Sequence, residues 1–339
     1  YSNESMENLL MFMNNRSASQ SSNKKILSKV LTVSFLLLIL IFPSSSYHGA
    51  KKGLLLWFNT ILPTLLPFII ISNLIIRLQI TKVLSKFLYP LCHSLFGVSK
   101  DGCYPILMGF LSGIPVGAKS IADLVRNGTL RHEEGQFLLG FCNNASPMFI
   151  MSYIAISQLK QTDLRIVLLL ILYLSAVLAS FLYFKILSCR KKSRTILSAN
   201  EYTDYISDNN VKFDFVQLDC AIMDGFEVIT KVGGYIILFS IPAQIIVNLW
   251  SKESYLKLLM IGLLEITTGI NQISNTQLDL NIKIALITMI TAFGGLSGLA
   301  QTKSVICNTR LSIYTYFKVK LLHMILALFM TVIYVKLLY

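Results

Sequence analysis

The chain has 339 residues, of which 54% are hydrophobic and only 14% are charged, and its mean hydropathy is +0.63. Soluble domains of this length are rarely so apolar, and several apolar runs are long enough to cross a bilayer. The net charge of +13 lies mostly in short flanks of those runs, which is typical of cytoplasmic loops and does not favour nucleic-acid binding. The composition therefore predicts an all-α, polytopic helical membrane protein.

The predicted elements begin with a polar and then basic tail over residues 1–29, which is expected to be disordered. Residues 30–47 are either a signal peptide or, as we expect, a retained transmembrane or signal-anchor helix, because no small-x-small cleavage site follows them. A first half over residues 48–188 precedes a basic and then acidic linker loop over residues 189–213, which we place in the cytoplasm. A second half covers residues 214–339.

The sequence lacks the motifs of common enzymes and metal sites. No Walker loop, Gly-x-Ser-x-Gly or His-Glu-x-x-His occurs, and the six cysteines are scattered without ligand spacing. We therefore predict no catalytic residue, no metal and no cofactor.

The stretch from Gly109 to Ile121 interrupts an apolar segment of membrane length, residues 103–125, with three glycines, a proline and a lysine. Glycine and proline free backbone groups that hydrocarbon cannot satisfy, so such a break is tolerated only beside protein or a wet cavity. The helix that restarts near Ala118 would point its N-terminal amides, together with Lys119, into that cavity. The pattern predicts a site for an anionic or strongly polar small solute.

The order of interruptions is similar in the two halves. Ser112-Gly113 is followed by Lys119-Ser120, and Ser297-Gly298 is followed by Lys303-Ser304. Paired interruptions at corresponding places in two halves are typical of transporters built from inverted repeats, although Gly-rich apolar sequence often looks alike. We predict two repeats with discontinuous or re-entrant helices.

The candidate solute-binding residues are polar or backbone-breaking positions at these interruptions. They are Ser112, Gly113, Pro115, Gly117, Lys119, Ser120, Asn143, Asn144, Ser146, Glu265, Thr267, Thr268, Lys303 and Ser304. Plainer alternatives remain: glycines four apart allow close helix packing, lysines snorkel, and asparagine or serine caps a restarting helix. Glu265 would take a proton or coupling cation, or pair with a lysine of the first half. We interpret His323 as an ordinary interfacial residue.

The stretches Gly109–Leu124 and Glu134–Phe149 resemble the sporulation integral membrane protein YlbJ (SpoVV) family. That family belongs to a wider group with nucleoside-recognition, or gate, domains similar to those of concentrative nucleoside transporters. Leu263–Gly269 resembles the Glu-containing motif of such gates. The resemblance implies two gate-type repeats that surround a solute with residues 112–120, 143–146 and 265–268.

The resemblance also implies a function: uptake of dipicolinic acid into the developing spore across its outer, mother-cell-derived membrane. The implied partners are a small anionic solute, membrane lipid, and either a second copy of the chain or other sporulation membrane proteins. In this hypothesis Lys119 and the helix amides bind carboxylates, Asn143 and Asn144 orient the ring, and Glu265 couples or gates. Lys119→Ala is then expected to weaken binding about tenfold or more. The alternatives are a nucleoside-type transporter and a non-transporting membrane scaffold needed for spore formation.

Overall fold

The computed structural model describes residues 29–78, 80–190, 214–250, 252 and 254–338. These residues form helices with no strand among them, which confirms the predicted all-α polytopic membrane fold. Five of the described helical stretches are long and apolar enough to cross a membrane: Pro43–Ile75, Leu164–Ile186, Phe215–Leu249, Leu280–Ile306 and Ile313–Leu337. The predicted disordered tail, apart from residue 29, and nearly all of the predicted linker loop lie outside the described residues.

The first half contains eight α-helices and two π-helical stretches. They are α1 Lys29–Ile41, α2 Pro43–Leu56, π1 Trp57–Ile61, α3 Leu62–Arg77, α4 Ile80–Phe96, α5 Cys103–Ser112, α6 Val116–Arg126, α7 His132–Cys142, π2 Phe149–Gln158 and α8 Leu164–Arg190. The second half consists of α9 Phe215–Leu249, α10 Tyr255–Leu264, α11 Ile266–Ser274, α12 Leu280–Phe293, α13 Gly295–Ile306 and α14 Ile313–Leu338.

Residues 30–47 do not form the single helix that was expected. Helix α1 ends at Ile41, and α2 begins at Pro43. Proline suits the first position of a helix because its missing N–H would have no intrahelical partner there. The expected boundary at residue 47 is therefore wrong, and the first long apolar stretch starts at Pro43.

Helices α5 and α6 form a hairpin that turns at residues 113–115, where the Ile114–Pro115 peptide bond is cis. A Cβ atom on Gly117 would lie 2.9 Å from the Gly109 Cα atom, so the two arms run side by side. The 10 residues of α5 extend about 15 Å, roughly half of a bilayer's hydrocarbon thickness. The predicted break in this segment is confirmed, and its geometry is that of a re-entrant hairpin.

Helices α10 and α11 form a second hairpin, which turns at Glu265. Gly262 and Gly269 lie against each other, because a Cβ atom on Gly269 would overlap the Gly262 backbone. The 10-residue arm α10 reaches as far as α5 does. Both hairpin turns are therefore expected at similar depth in the membrane.

Two further helices are interrupted. Their contacts do not show the two segments packed side by side as in the hairpins. Between α7 and π2, residues 143–146 leave the helical ladder. Between α12 and α13, Gly294 and Gly295 have φ angles of +84° and +69°. Residues with a Cβ atom rarely adopt that left-handed backbone conformation, which explains the pair of glycines at this break.

The helix order of the first half recurs in the second: a long helix, a hairpin, an interrupted helix and a final long helix. Helix α8 packs on α14, and α9 packs on α2 and α3. By this order the turn at residues 113–115 corresponds to Glu265, and residues 143–146 correspond to Gly294. The proposed match of Ser112-Gly113 to Ser297-Gly298 is therefore wrong, because Ser297 and Gly298 lie inside α13. Assignment of the halves to gate-type repeats stays a prediction.

Candidate functional site

The four helix interruptions lie against one another. The Ile114 amide donates to the Asn144 carbonyl oxygen over 2.9 Å, which joins the first hairpin turn to the break after α7. A Cβ atom on Gly294 would lie 3.5 Å from Ile114 Cδ1, and one on Gly295 would lie 3.4 Å from the Leu264 carbonyl oxygen. We call this meeting point, formed by residues 113–115, 143–146, 265 and 294–295, the crossing.

Asn143 connects three helices at the crossing. Its Oδ1 atom accepts a hydrogen bond from the Ala118 amide over 3.3 Å, near the start of α6. Its Nδ2 atom donates to Thr302 Oγ1 over 2.8 Å and to the Tyr316 hydroxyl over 3.0 Å. The Ala118 amide, which was expected to bind solute, is therefore occupied by a side chain of the protein.

Asn144 holds a buried basic pair on α14. Its Nδ2 atom donates to the Phe141 carbonyl oxygen, and its Oδ1 atom accepts from Lys320 Nζ over 2.8 Å. Lys320 Nζ also lies 3.2 Å from His323 Nδ1, and His323 Nε2 lies 2.9 Å from the Leu172 carbonyl oxygen. Lys320 is 0% exposed and His323 is 1% exposed. The interpretation of His323 as an interfacial residue is wrong.

Glu265 caps the second arm of the second hairpin. Its Oε1 atom accepts from the Thr267 amide over 3.1 Å, and its Oε2 atom accepts from the Thr268 amide over 2.6 Å and from the Thr267 hydroxyl. The carboxylate is 1% exposed and takes part in none of the ion pairs found among the described residues. The alternative that it pairs with a lysine of the first half is therefore not realised there.

The two lysines expected at the site are not at the crossing. Lys119 is exposed, because α6 buries the face that carries Ala118, Ile121 and Ala122, and Lys119 lies on the opposite face. Lys303 and Ser304 are exposed near the end of α13. Their predicted contact with a buried solute has no support in this geometry.

The remaining candidates lie at the crossing or in the helices that lead from it. Gly113 has a φ angle of +72°, and a Cβ atom there would lie 2.7 Å from the Ser146 amide. Ser146 Oγ accepts from the Phe149 amide over 3.2 Å and so caps the restarting helix, as one alternative expected. The Ser112 and Thr291 hydroxyls are buried without a hydrogen-bond partner in the described structure. Pro115 and Gly117 are both buried. The Ser120 hydroxyl donates to the Gly117 carbonyl oxygen. The Thr268 hydroxyl forms a hydrogen bond with the Ser240 hydroxyl.

Lys320 is the functional candidate that sequence reasoning missed. It lies three residues before His323 within the apolar stretch Ile313–Leu337, so the two side chains share one helix face. Ionisable residues inside a membrane span are rare and are functional candidates by default. That rule, applied to α14, would have found the pair.

The crossing and the side chains that contact it combine the buried amine of Lys320, two carboxamides, several hydroxyls and the buried carboxylate of Glu265. Hydrocarbon cannot satisfy such groups, so a site of this kind suits a polar solute. Among the described residues, no group of three His, Cys, Asp or Glu side chains is placed to hold a metal ion.

The chain is 27% identical over 309 residues to the sporulation integral membrane protein YlbJ of Bacillus subtilis (strain 168). The aligned region covers 83% of this chain and 75% of that protein. This similarity supports the expected relationship to the YlbJ family. No protein-family model and no solved structure matches the chain, so the resemblance to nucleoside-recognition domains stays a prediction.

Proposed function

We propose that the protein is an integral membrane transporter of a small anionic solute, and that it is not an enzyme. The observation that carries the proposal is the crossing, where two hairpin turns and two interrupted helices enclose buried polar groups. Discontinuous helices that meet near the middle of the bilayer are how many secondary transporters build a solute site. Irregular backbone at that depth is tolerated where it is buried in protein or lines a cavity.

We further propose that the physiological solute is dipicolinic acid, taken up into the developing spore across the outer, mother-cell-derived forespore membrane. The name of the Bacillus subtilis relative supports a role in sporulation. A buried amine and carboxamides suit a small aromatic dicarboxylate, because charge-assisted hydrogen bonds to a carboxylate are strong. Glu265 would couple or gate transport. Membrane lipid surrounds the protein, and a second copy or other sporulation membrane proteins are the partners that we expect.

The test is the thermal stability of the detergent-purified protein with dipicolinate, nucleosides and unrelated dicarboxylates, followed by uptake into liposomes. A ligand that binds only the folded state, at a hundred times its dissociation constant, adds about 2.7 kcal/mol of stability. We expect dipicolinate to raise the unfolding temperature and to accumulate in proteoliposomes. If only nucleosides stabilise the protein, the proposal of a transporter stands, and its substrate is a nucleoside instead of dipicolinate.

A second candidate function, a non-transporting membrane scaffold, is favoured by the close glycine packing around Gly109. A Cβ atom there would overlap the Cys142 carbonyl oxygen. A scaffold would show neither stabilisation nor uptake with any of these solutes. For a scaffold, Gly113→Leu would abolish assembly with other sporulation membrane proteins. The wild-type protein would already show no response to any of the solutes.

A further inference from the structure

Helix α14 places a basic side chain in the interior of the protein, next to the crossing. Lys320 is seven residues past Ile313 in a helix of 26 residues, and its side chain is 0% exposed. A lysine near a helix end can bury its stem and extend its amine to water. Full burial excludes that arrangement for Lys320.

The interruptions of three helices surround this side chain. Lys320 Nζ bonds the side chain of Asn144, whose backbone carbonyl accepts the Ile114 amide. A Cβ atom on Gly294 would lie 3.8 Å from Lys320 Cε. The amine therefore lies where the first hairpin turn, the break after α7 and the break after α12 come together.

Both hydrogen-bond partners of the amine are neutral. A carbonyl oxygen only accepts, so His323 Nε2, 2.9 Å from the Leu172 carbonyl oxygen, carries the hydrogen. The Nδ1 atom of the neutral ring then accepts from Lys320, as the Asn144 Oδ1 atom does. An ammonium has three N–H groups, so two acceptors leave one donor without an acceptor. The Tyr316 ring, whose centroid lies 5.8 Å from Nζ, gives a weak cation–π contact but no negative charge.

The described residues provide no counter-ion for this amine. The ion pairs among them are Arg77–Asp224, Arg126–Asp123 and Lys231–Glu227. The carboxylate of Glu265 is occupied as the cap of α11. A buried charge is stable only when it is paired, so a solute carboxylate would complete the arrangement.

We infer that Lys320 binds a carboxylate of the solute, with Asn144 and His323 positioning the amine, and that the site therefore selects small carboxylates over neutral analogues. This inference rests on the proposed transport of an anionic solute. It replaces Lys119 with Lys320 as the basic group of the site that meets the solute carboxylate.

The experiment measures equilibrium binding of dipicolinate to the detergent-purified full chain by calorimetry at neutral pH. We expect Lys320→Gln to weaken binding at least about tenfold, the loss that corresponds to one charge-assisted hydrogen bond. The control is Lys318→Gln, since Lys318 is exposed on the same helix beside Tyr314. Unchanged affinity for dipicolinate in Lys320→Gln would overturn the assignment of Lys320 and would leave the proposed transport function in place.

A second experiment compares the binding of three ligands to the wild-type protein, so its result does not depend on whether Lys320→Gln folds. We expect binding by dipicolinate, weaker binding by the monocarboxylate picolinate, and none by the neutral diamide of dipicolinic acid. A purely structural lysine would not produce this dependence on ligand charge, so equal binding of the diamide and dipicolinate would overturn the inference. Absence of binding by every carboxylate would instead overturn the proposed function itself.

Discussion

Glu265 and Asn143 solve the same problem at the two hairpins. The first N–H groups of a helix have no intrahelical hydrogen-bond partner. Inside the hydrocarbon of a membrane there is no water to serve as that partner. Glu265 accepts from the amides of Thr267 and Thr268 in its own chain segment. Asn143 reaches the Ala118 amide from another helix. Each hairpin therefore depends on one polar side chain at its second arm.

Removal of the cap at Glu265 is expected to destabilise the protein. Glu265→Ala leaves two amides of α11 unsatisfied, and loss of a cap with buried orphan donors costs about 1–3 kcal/mol. The measurement is thermal unfolding in detergent followed by circular dichroism. Glu227→Ala is the matched control, because its pair with Lys231 is exposed on α9 and exposed pairs contribute little. Equal losses of stability in the two variants would contradict the capping role.

At the scale of helices, glycine serves two different purposes in this fold. Gly109 lets the first hairpin approach α7, because a Cβ atom there would overlap the Cys142 carbonyl oxygen. Gly294 has space for a Cβ atom, with its nearest neighbour at 3.5 Å, and is required instead by its left-handed backbone. Close packing, the plainer alternative for both, accounts for Gly109 and not for Gly294.

Two glycine-to-alanine substitutions should therefore have opposite signs. Gly109→Ala inserts a methyl group into backbone and should cost about 1–3 kcal/mol. Gly234→Ala, in α9, has no atom within 4 Å of the new methyl group and should stabilise the helix by about 0.5–1 kcal/mol. The midpoint of thermal unfolding measures both. A shift of the same sign and size would show that the hairpin does not pack on α7 as described.

At the scale of the whole molecule, five of the described stretches are long and apolar enough to cross a membrane, and we expect the interrupted helix α7–π2 to make a sixth crossing. On that expectation each half crosses three times, by one long helix, one interrupted helix and a final long helix. Helix α4, with 17 residues, is not expected to add a crossing. The Arg77–Asp224 ion pair places the end of α3 beside the start of α9, and the Ser99 amide bonds Glu134 at the start of α7. We expect both places on the side of the membrane where α8 ends, so that α4 begins and ends on that side. An odd number of crossings in each half is expected to give the halves opposite orientations.

This arrangement predicts that the two hairpins enter from opposite sides of the membrane. The basic linker loop is expected in the cytoplasm, which puts Asn127 on the cytoplasmic side and Gln277 on the other. We would introduce Asn127→Cys or Gln277→Cys after replacing the six native cysteines by alanine. A membrane-impermeant maleimide should label Gln277→Cys in right-side-out vesicles and Asn127→Cys in inside-out vesicles. Labelling of both from one side would exclude inverted halves.

The sequence by itself determined the class of the protein and where its first interruption lies. Apolar length and the backbone chemistry of glycine and proline are local properties, so the break at residues 113–115 and the polar residues Asn143, Asn144 and Glu265 could be read from the chain. Whether a side chain faces the interior is not local. The tertiary structure alone decided that Lys119 faces outward, that Asn143 accepts from the Ala118 amide, and that Lys320 lies next to the crossing. The physical reason is that packing of separate helices selects which face of each is buried, and that choice depends on partners far away in the chain.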